Sequence, residues 1–206
     1  MNRAGIVHLV DDDLEVRDGL SFLMRTVGLT VHSYADGLTF LEALPGLTEG
    51  CILIDIRMPH VTGLRLQERL TATGCDWPVI IITGHGDVEA CRRAFRAGAV
   101  DFLTKPIDEQ VLIDAVQGAL SVLADRVASR SEGTRAARLI ERLSSRELEI
   151  LALVTDGLAT KEIARKLTLS PRTVDTHRAH IADKLGTTSV ADMVRLRLSA
   201  RDPGHR

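Results

Sequence analysis

The stretch Ile52-Leu53-Ile54-Asp55-Ile56-Arg57-Met58-Pro59 decides the fold. Three β-favouring apolar residues end in one carboxylate, and a proline follows four residues later. The pattern is that of a fully buried strand with Asp55 at its carboxyl tip, because a strand covered on both faces has no solvent side to make polar. A charge in that place is costly unless something uses it.

Outward from this strand the chain alternates. Strand-like runs at 6–10, 30–34, 51–54, 79–83 and 99–103 are each followed by helical spacing, at 13–28, 38–44, 64–73, 88–97 and 107–123. Strand–helix repeats of this kind predict an α/β domain over residues 1–123, with a doubly wound five-stranded parallel sheet. Residues 124–142 are charged with few large apolar side chains and read as a linker, partly helical. Residues 143–206 carry only helical spacing, with helices near 145–156, 160–167, 171–185 and 189–199, a small all-α domain.

Charge follows the same division. Residues 1–125 hold 10 Lys+Arg against 18 Asp+Glu, whereas residues 126–206 hold 16 against 10. An acidic half joined to a basic one suggests different partners, a polyanion for the second. The three cysteines, Cys51, Cys75 and Cys91, have no metal-ligand spacing and read as reduced thiols. No apolar run is long enough to span a membrane, and Met1–Gly5 is unlike a signal peptide, so a cytoplasmic protein with no membrane partner is expected.

The polar residues of the first half fall at strand ends. Asp11-Asp12-Asp13 follow the first strand, Asp55 ends the third, Thr83 the fourth, and Lys105-Pro106 leave the fifth. Separations of 43, 28 and 22 residues between Asp12, Asp55, Thr83 and Lys105 return each to the same carboxyl edge of the sheet, where open α/β sheets place their sites. Converging carboxylates repel, and a hard divalent cation, Mg²⁺, relieves the repulsion. A lysine and a threonine hydroxyl add cationic and donor groups for a phosphate. The chemistry this suits is carboxylate attack on a phosphoryl group. Taken alone, an Asp run after a strand equally serves as a turn and helix cap, and Asp13 is read as such a cap.

Val10-Asp11-Asp12, Asp55-Ile56-Arg57-Met58-Pro59, Thr83-Gly84-His85-Gly86-Asp87 and Asp101-Phe102-Leu103-Thr104-Lys105-Pro106 together resemble the receiver domain of two-component response regulators, a flavodoxin-like fold, and the Thr-Gly-His-Gly-Asp run resembles the FixJ branch. The resemblance implies that Asp55 accepts the phosphoryl group and that Asp11, Asp12, Asp55 and the backbone carbonyl of Arg57 hold Mg²⁺. It makes Thr83 the switch hydroxyl, Phe102 the switch aromatic and Lys105 the phosphate-facing cation, with the Lys105–Pro106 bond cis. His85 is read as a loop residue between glycines.

In the basic half, Ser144 or Ser145 caps a helix and Thr160 is read as capping the next. Thr168-Leu169-Ser170-Pro171 makes a tight turn with Ser170 as cap and Pro171 at the first helical position. A short helix, a tight turn and a polar helix form a helix-turn-helix, whose second helix reads bases from its N-terminal part. A helical docking domain has the same periodicity; the basic charge favours DNA. Leu143-Ser144-Ser145-Arg146-Glu147, Gly157 to Ala164, Leu169 to Val174, His177-Arg178 and Lys184-Leu185-Gly186 resemble the LuxR/FixJ-type DNA-binding domain. By that resemblance Lys161 and Arg172 touch phosphates, Thr176, His177 and Arg178 lie at or near base edges, and Thr173 and Lys184 complete the DNA-binding set. Asp175 departs from relatives with a basic residue there and would accept from a cytosine amino group or reject wrong sites.

The expected function is a response regulator, not an enzyme. A sensor histidine kinase phosphorylates Asp55, the chain forms a homodimer, and the dimer binds double-stranded promoter DNA to activate transcription, with RNA polymerase as a further partner. The enzymatic alternative, an aspartyl-phosphate phosphatase, needs Asp-x-Asp after the first strand, whereas here the Asp residues are consecutive.

Overall fold

The computed structural model describes residues 5–84 and 88–201, so His85 lies outside the described residues. The chain divides into two units, Met1–Ala124 and Asp125–Arg206.

In the first unit the strands are β1 (Ile6–Val10), β2 (Thr30–Tyr34), β3 (Cys51–Asp55), β4 (Val79–Thr83) and β5 (Asp101–Thr104). They form one sheet, in the order β2-β1-β3-β4-β5, with every pairing parallel. Period-two alternation sends Ile52 and Ile54 to one face with Val10 and Ile81, and Cys51 and Leu53 to the other with Leu9 and Ile80. Both faces are packed, which is why β3 and β4 are apolar at successive positions. Helices α1 (Leu14–Thr26), α2 (Gly37–Ala43), α3 (Gly63–Ala72), α4 (Val88–Arg96) and α5 (Glu109–Glu141) connect and follow the strands. β5 starts later than the sequence suggests, because the Ala99 amide still bonds to Ala94 O and closes the end of α4.

Residues 124–141, expected to be partly helical, are helical throughout as the second part of α5. Ala, Arg and Glu dominate that stretch, and these residues cost little in a helix even where few apolar contacts are offered.

β1 carries an unusual core residue. His8 is 1% exposed, stacked on Trp77 at 5.2 Å and on His32 at 5.6 Å between ring centroids. Its Nε2 lies 3.0 Å from Thr48 O, an acceptor, so Nε2 carries the proton. Nδ1 is buried without a hydrogen-bond partner among the described residues. Burial holds the ring's pKa below 6.5, helped by the charge of His32 and opposed by the Thr48 bond. The unfolded chain then binds protons that the folded one refuses, so this group's contribution to stability is present above pH 6.5 and is lost as pH falls toward the folded pKa. His8→Gln should therefore flatten the loss of unfolding free energy between pH 7 and pH 5, by up to about 1.4 kcal/mol per pH unit. Equal slopes in denaturant titrations of both proteins would contradict this.

The second unit is built from α6 (Ser145–Thr155), α7 (Thr160–Leu167), α8 (Pro171–Leu185) and α9 (Val190–Arg201). Their shared core includes Ile150, Leu151, Ile163, Val174, Ile181 and Met193. Ser144 caps α6 in a reciprocal box: its hydroxyl accepts from Glu147 N, and Glu147 Oε2 accepts from Ser144 N at 2.7 Å. Ser170 caps α8 by accepting from Thr173 N at 3.0 Å, with Pro171 at the first position.

Candidate functional site

The strand order reverses between β1 and β3, so a crevice opens at their carboxyl ends. Register decides what stands there. Val10 pairs with Ile54, which sets Asp11 beside Asp55. Asp55 pairs with Ile82 and Thr83 with Thr104, which brings up Lys105 as the first residue after β5. Asp11, Asp55 and Thr83 are all buried, at 1%, 5% and 1% exposure.

Lys105 joins the two carboxylates. Its Nζ lies 2.8 Å from Asp11 Oδ2 and 2.7 Å from Asp55 Oδ1. Asp55 Oδ2 accepts from the Arg57 amide at 2.6 Å, and Asp11 Oδ1 from the Asp13 amide at 2.9 Å. Burial holds the Asp55 carboxyl above its usual range; the Lys105 bond and charge pull it down, and the Asp11 charge pushes it up again. Burial also works against charge on Lys105, but the two carboxylates outweigh it and hold the ammonium above its ordinary value. The result is a pair of buried carboxylates sharing one cation, with oxygen donors in excess of positive charge.

Asp12 is exposed, and the carboxylate oxygens of Asp11, Asp12 and Asp55 are not all within 4.8 Å of one another. Asp13 is the N-cap of α1, accepting from Glu15 N and Val16 N. Phe102 is half-buried against the core, paired in register with Ile81. The Lys105–Pro106 bond is cis.

Two supporting residues went unnoticed in the sequence. The Arg17 guanidinium donates to the backbone oxygen of Asp11 at 2.7 Å, reaching back from α1. Gly63 begins α3 against the end of β3, with its amide on Ile56 O at 2.9 Å; a Cβ there would lie 2.2 Å from Asp55 O. A glycine four residues after Pro59 was the available signal.

In the second unit, Thr168 takes the left-handed conformation that ends α7 and turns the chain into α8. Val174, Ile181 and Leu185 of α8 are buried, which leaves Arg172, Thr173 and Thr176 exposed near its start, with Lys161 exposed on α7. Thr176 Oγ1 bonds back to Arg172 O at 3.0 Å. His177 and Arg178 are half-buried.

One expectation changes, and two expected DNA-facing residues have partners within the fold. Thr160 does not cap α7; the cap position is Ala159, and Glu162 reaches back to the Ala159 amide at 2.8 Å. The Thr160 hydroxyl instead donates to Asp175 at 3.1 Å and receives Arg178 at 3.3 Å. Asp175 and Arg178 thus brace the two helices of the turn, and Asp175 has a partner within the fold. Lys184 Nζ sits 2.7 Å from Glu147 Oε2, so its charge serves the ion pair between α8 and α6. That pair and the capping bond hold the Glu147 carboxyl down to about 2.

The sequence pattern of the response regulator receiver domain matches residues 7–117, and that of the luxR family of bacterial regulatory proteins matches residues 141–197. The chain belongs to the response regulators of the FixJ type. The transcriptional regulatory protein FixJ of Azorhizobium caulinodans is 40% identical to this regulator over 194 residues, 94% of this chain and 92% of that protein. The transcriptional regulatory protein TdiR of Thauera aromatica is 39% identical over 191 residues, 93% and 84% of the two chains. Among solved structures, the response regulator StyR superposes with a TM-score of 0.83 at 39% identity, covering 95% of this regulator and 99% of that chain. Full-length FixJ from B. japonicum gives 0.61 at 36% identity, covering 96% and 97%. This regulator therefore couples a receiver to a LuxR-type DNA-binding domain, an arrangement consistent with transcription regulation. Among the described residues no helix is long and apolar enough to cross a membrane.

Proposed function

We propose that this regulator accepts a phosphoryl group on Asp55 from a sensor histidine kinase and, once phosphorylated, dimerises and binds promoter DNA to activate transcription from the cytoplasm. The observation that supports this most is the Lys105 ammonium lying on both Asp11 and Asp55. In the transfer, an Asp55 oxygen attacks phosphorus as the bond from phosphorus to the kinase's histidine nitrogen breaks, which leaves an aspartyl-phosphate. Burial of Asp55 keeps bulk water from competing, and Lys105, already aimed at the carboxylate, neutralises charge on the transferring group.

The residues fit Mg²⁺ by donor chemistry: Asp11, Asp12, Asp55 and the Arg57 carbonyl are all hard oxygens, and two buried carboxylates share one lysine. When bound, the ion offsets negative charge on the phosphoryl oxygens. Thr83, at the end of β4, and Phe102, half-buried on β5, are the residues through which phosphorylation would be sensed, the hydroxyl by bonding to the new phosphate and the ring by moving inward.

A small-molecule phosphodonor tests the first step. Stoichiometric labelling, one phosphoryl per chain, is the expected result; rapid multiple turnover would favour the phosphatase reading.

For DNA we assign Lys161 and Arg172 to phosphates and Thr173, Thr176 and His177 to the groove, with Arg178 near it while bracing Thr160. Lys184 stays in the set but would reach DNA only by leaving its ion pair with Glu147. RNA polymerase remains the partner that activation would require. Lys161→Ala should weaken binding about equally across DNA sequences and reduce the salt slope of log K by about 1. A slope unchanged in fluorescence anisotropy titrations would remove Lys161 from the phosphate contacts.

A further inference from the structure

Glu147, His177 and His180 each offer one ligand atom, and these atoms all lie within 4.8 Å of one another. Glu147 comes from the first turn of α6, and the two histidines from α8. Residues three apart on a helix share a face, and α6 and α8 pack around the common core that holds Ile150 and Ile181. The backbone positions of all three residues are therefore set by the fold. A second observation concerns the same ring: His177 Nδ1 is buried with no hydrogen-bond partner among the described residues, so this imidazole has a nitrogen the fold leaves unused. Such an atom is costly without a partner, and a cation can supply one.

We propose that Glu147, His177 and His180 form a binding site for a divalent transition cation of the zinc class. Two imidazoles and one carboxylate are a donor set that suits Zn²⁺, with a fourth position left for water. Mg²⁺ prefers oxygen ligands throughout and suits this site poorly. Tetrahedral Zn²⁺ with bonds near 2.0–2.2 Å sets its ligand atoms about 3.4 Å apart, so atoms now within 4.8 Å of one another close in by at most about 1.4 Å. Lys184 opposes loading through its charge, being 2.7 Å from Glu147 Oε2. A carboxylate has lone pairs for both, and the lysine side chain, 35% exposed, has room to turn to solvent. His177 stands in the proposed DNA-binding set, so cation and DNA would contend for one ring.

The test uses the full chain with Mg²⁺ in excess, titrated with Zn²⁺ by calorimetry and with Co²⁺ by d–d absorption, beside His180→Ala. His180 is exposed, so its removal leaves the core intact. The wild type should take up one equivalent whose affinity falls at least about tenfold in His180→Ala, together with loss of the tetrahedral Co²⁺ bands. Identical titrations of the two proteins, or no Zn²⁺ uptake by the wild type below millimolar, would overturn the site.

Discussion

Asp55→Asn reduces phosphodonor labelling from one phosphoryl group per chain to none, and with it removes the whole phosphodonor-dependent increase in dimerisation and DNA affinity. The amide keeps the shape of the side chain, but its one oxygen can accept from only one of the two donors, the Arg57 amide and Lys105, which now lie 2.6 Å and 2.7 Å from the two carboxylate oxygens; Lys105 keeps Asp11 as its partner. What it lacks is a nucleophilic oxygen anion. Folding should not suffer, because a carboxylate 5% exposed carries a desolvation cost that the amide avoids. The unfolding free energy at pH 7 is expected to be unchanged or up to about 1 kcal/mol higher. Mass spectrometry reads the labelling and urea titration the stability. A variant that still gains DNA affinity on phosphodonor treatment would show that Asp55 is not the switch, whatever the fate of the label.

Gly63→Ala should be the most destabilising glycine-to-alanine change among the described residues of the receiver. The added Cβ would stand 2.2 Å from Asp55 O, 2.9 Å from Asp55 C and 2.9 Å from Ile54 Cγ2. Two of those three atoms are backbone in a central strand of the sheet, so no rotamer change relieves the contact. Overpacking against side chains costs about 1–3 kcal/mol; against an immobile strand the expectation is about 3 kcal/mol or more. The collision falls on the residue that bears the nucleophile, so the phosphorylation rate should drop along with the unfolding midpoint. Unchanged stability in urea would mean that α3 slides freely away from β3, contrary to the Gly63 amide bond on Ile56 O.

Much of the receiver was legible because its chemistry lies at strand ends, and strand ends are what hydrophobic periodicity locates best. Asp11, Asp55 and Thr83 each follow a largely apolar run and Lys105 follows the short strand Asp101-Phe102-Leu103-Thr104, and parallel strands return every such end to one edge. Arg17 was not legible, since an arginine on an amphipathic helix gives no sign of turning back to a backbone carbonyl. The helix-turn-helix was legible through its caps and turn, Ser144, Ser170 and Pro171. The roles of its polar residues were less so. Thr160, Asp175, Arg178 and Lys184 look alike as surface side chains in a linear reading, yet each is engaged by a neighbour from another helix.

By itself, then, the sequence determined the two-unit architecture, the parallel sheet and the acidic edge, because burial and period are local properties of a chain. Only the tertiary structure decided which charges are used within the fold. Register set Asp11 beside Asp55 and put one lysine on both. Helix packing turned Lys184 toward Glu147 and brought His177 and His180 near the same carboxylate. Hydrogen bonds and ion pairs act over a few ångströms between residues far apart in the chain, and no sequence spacing encodes that distance.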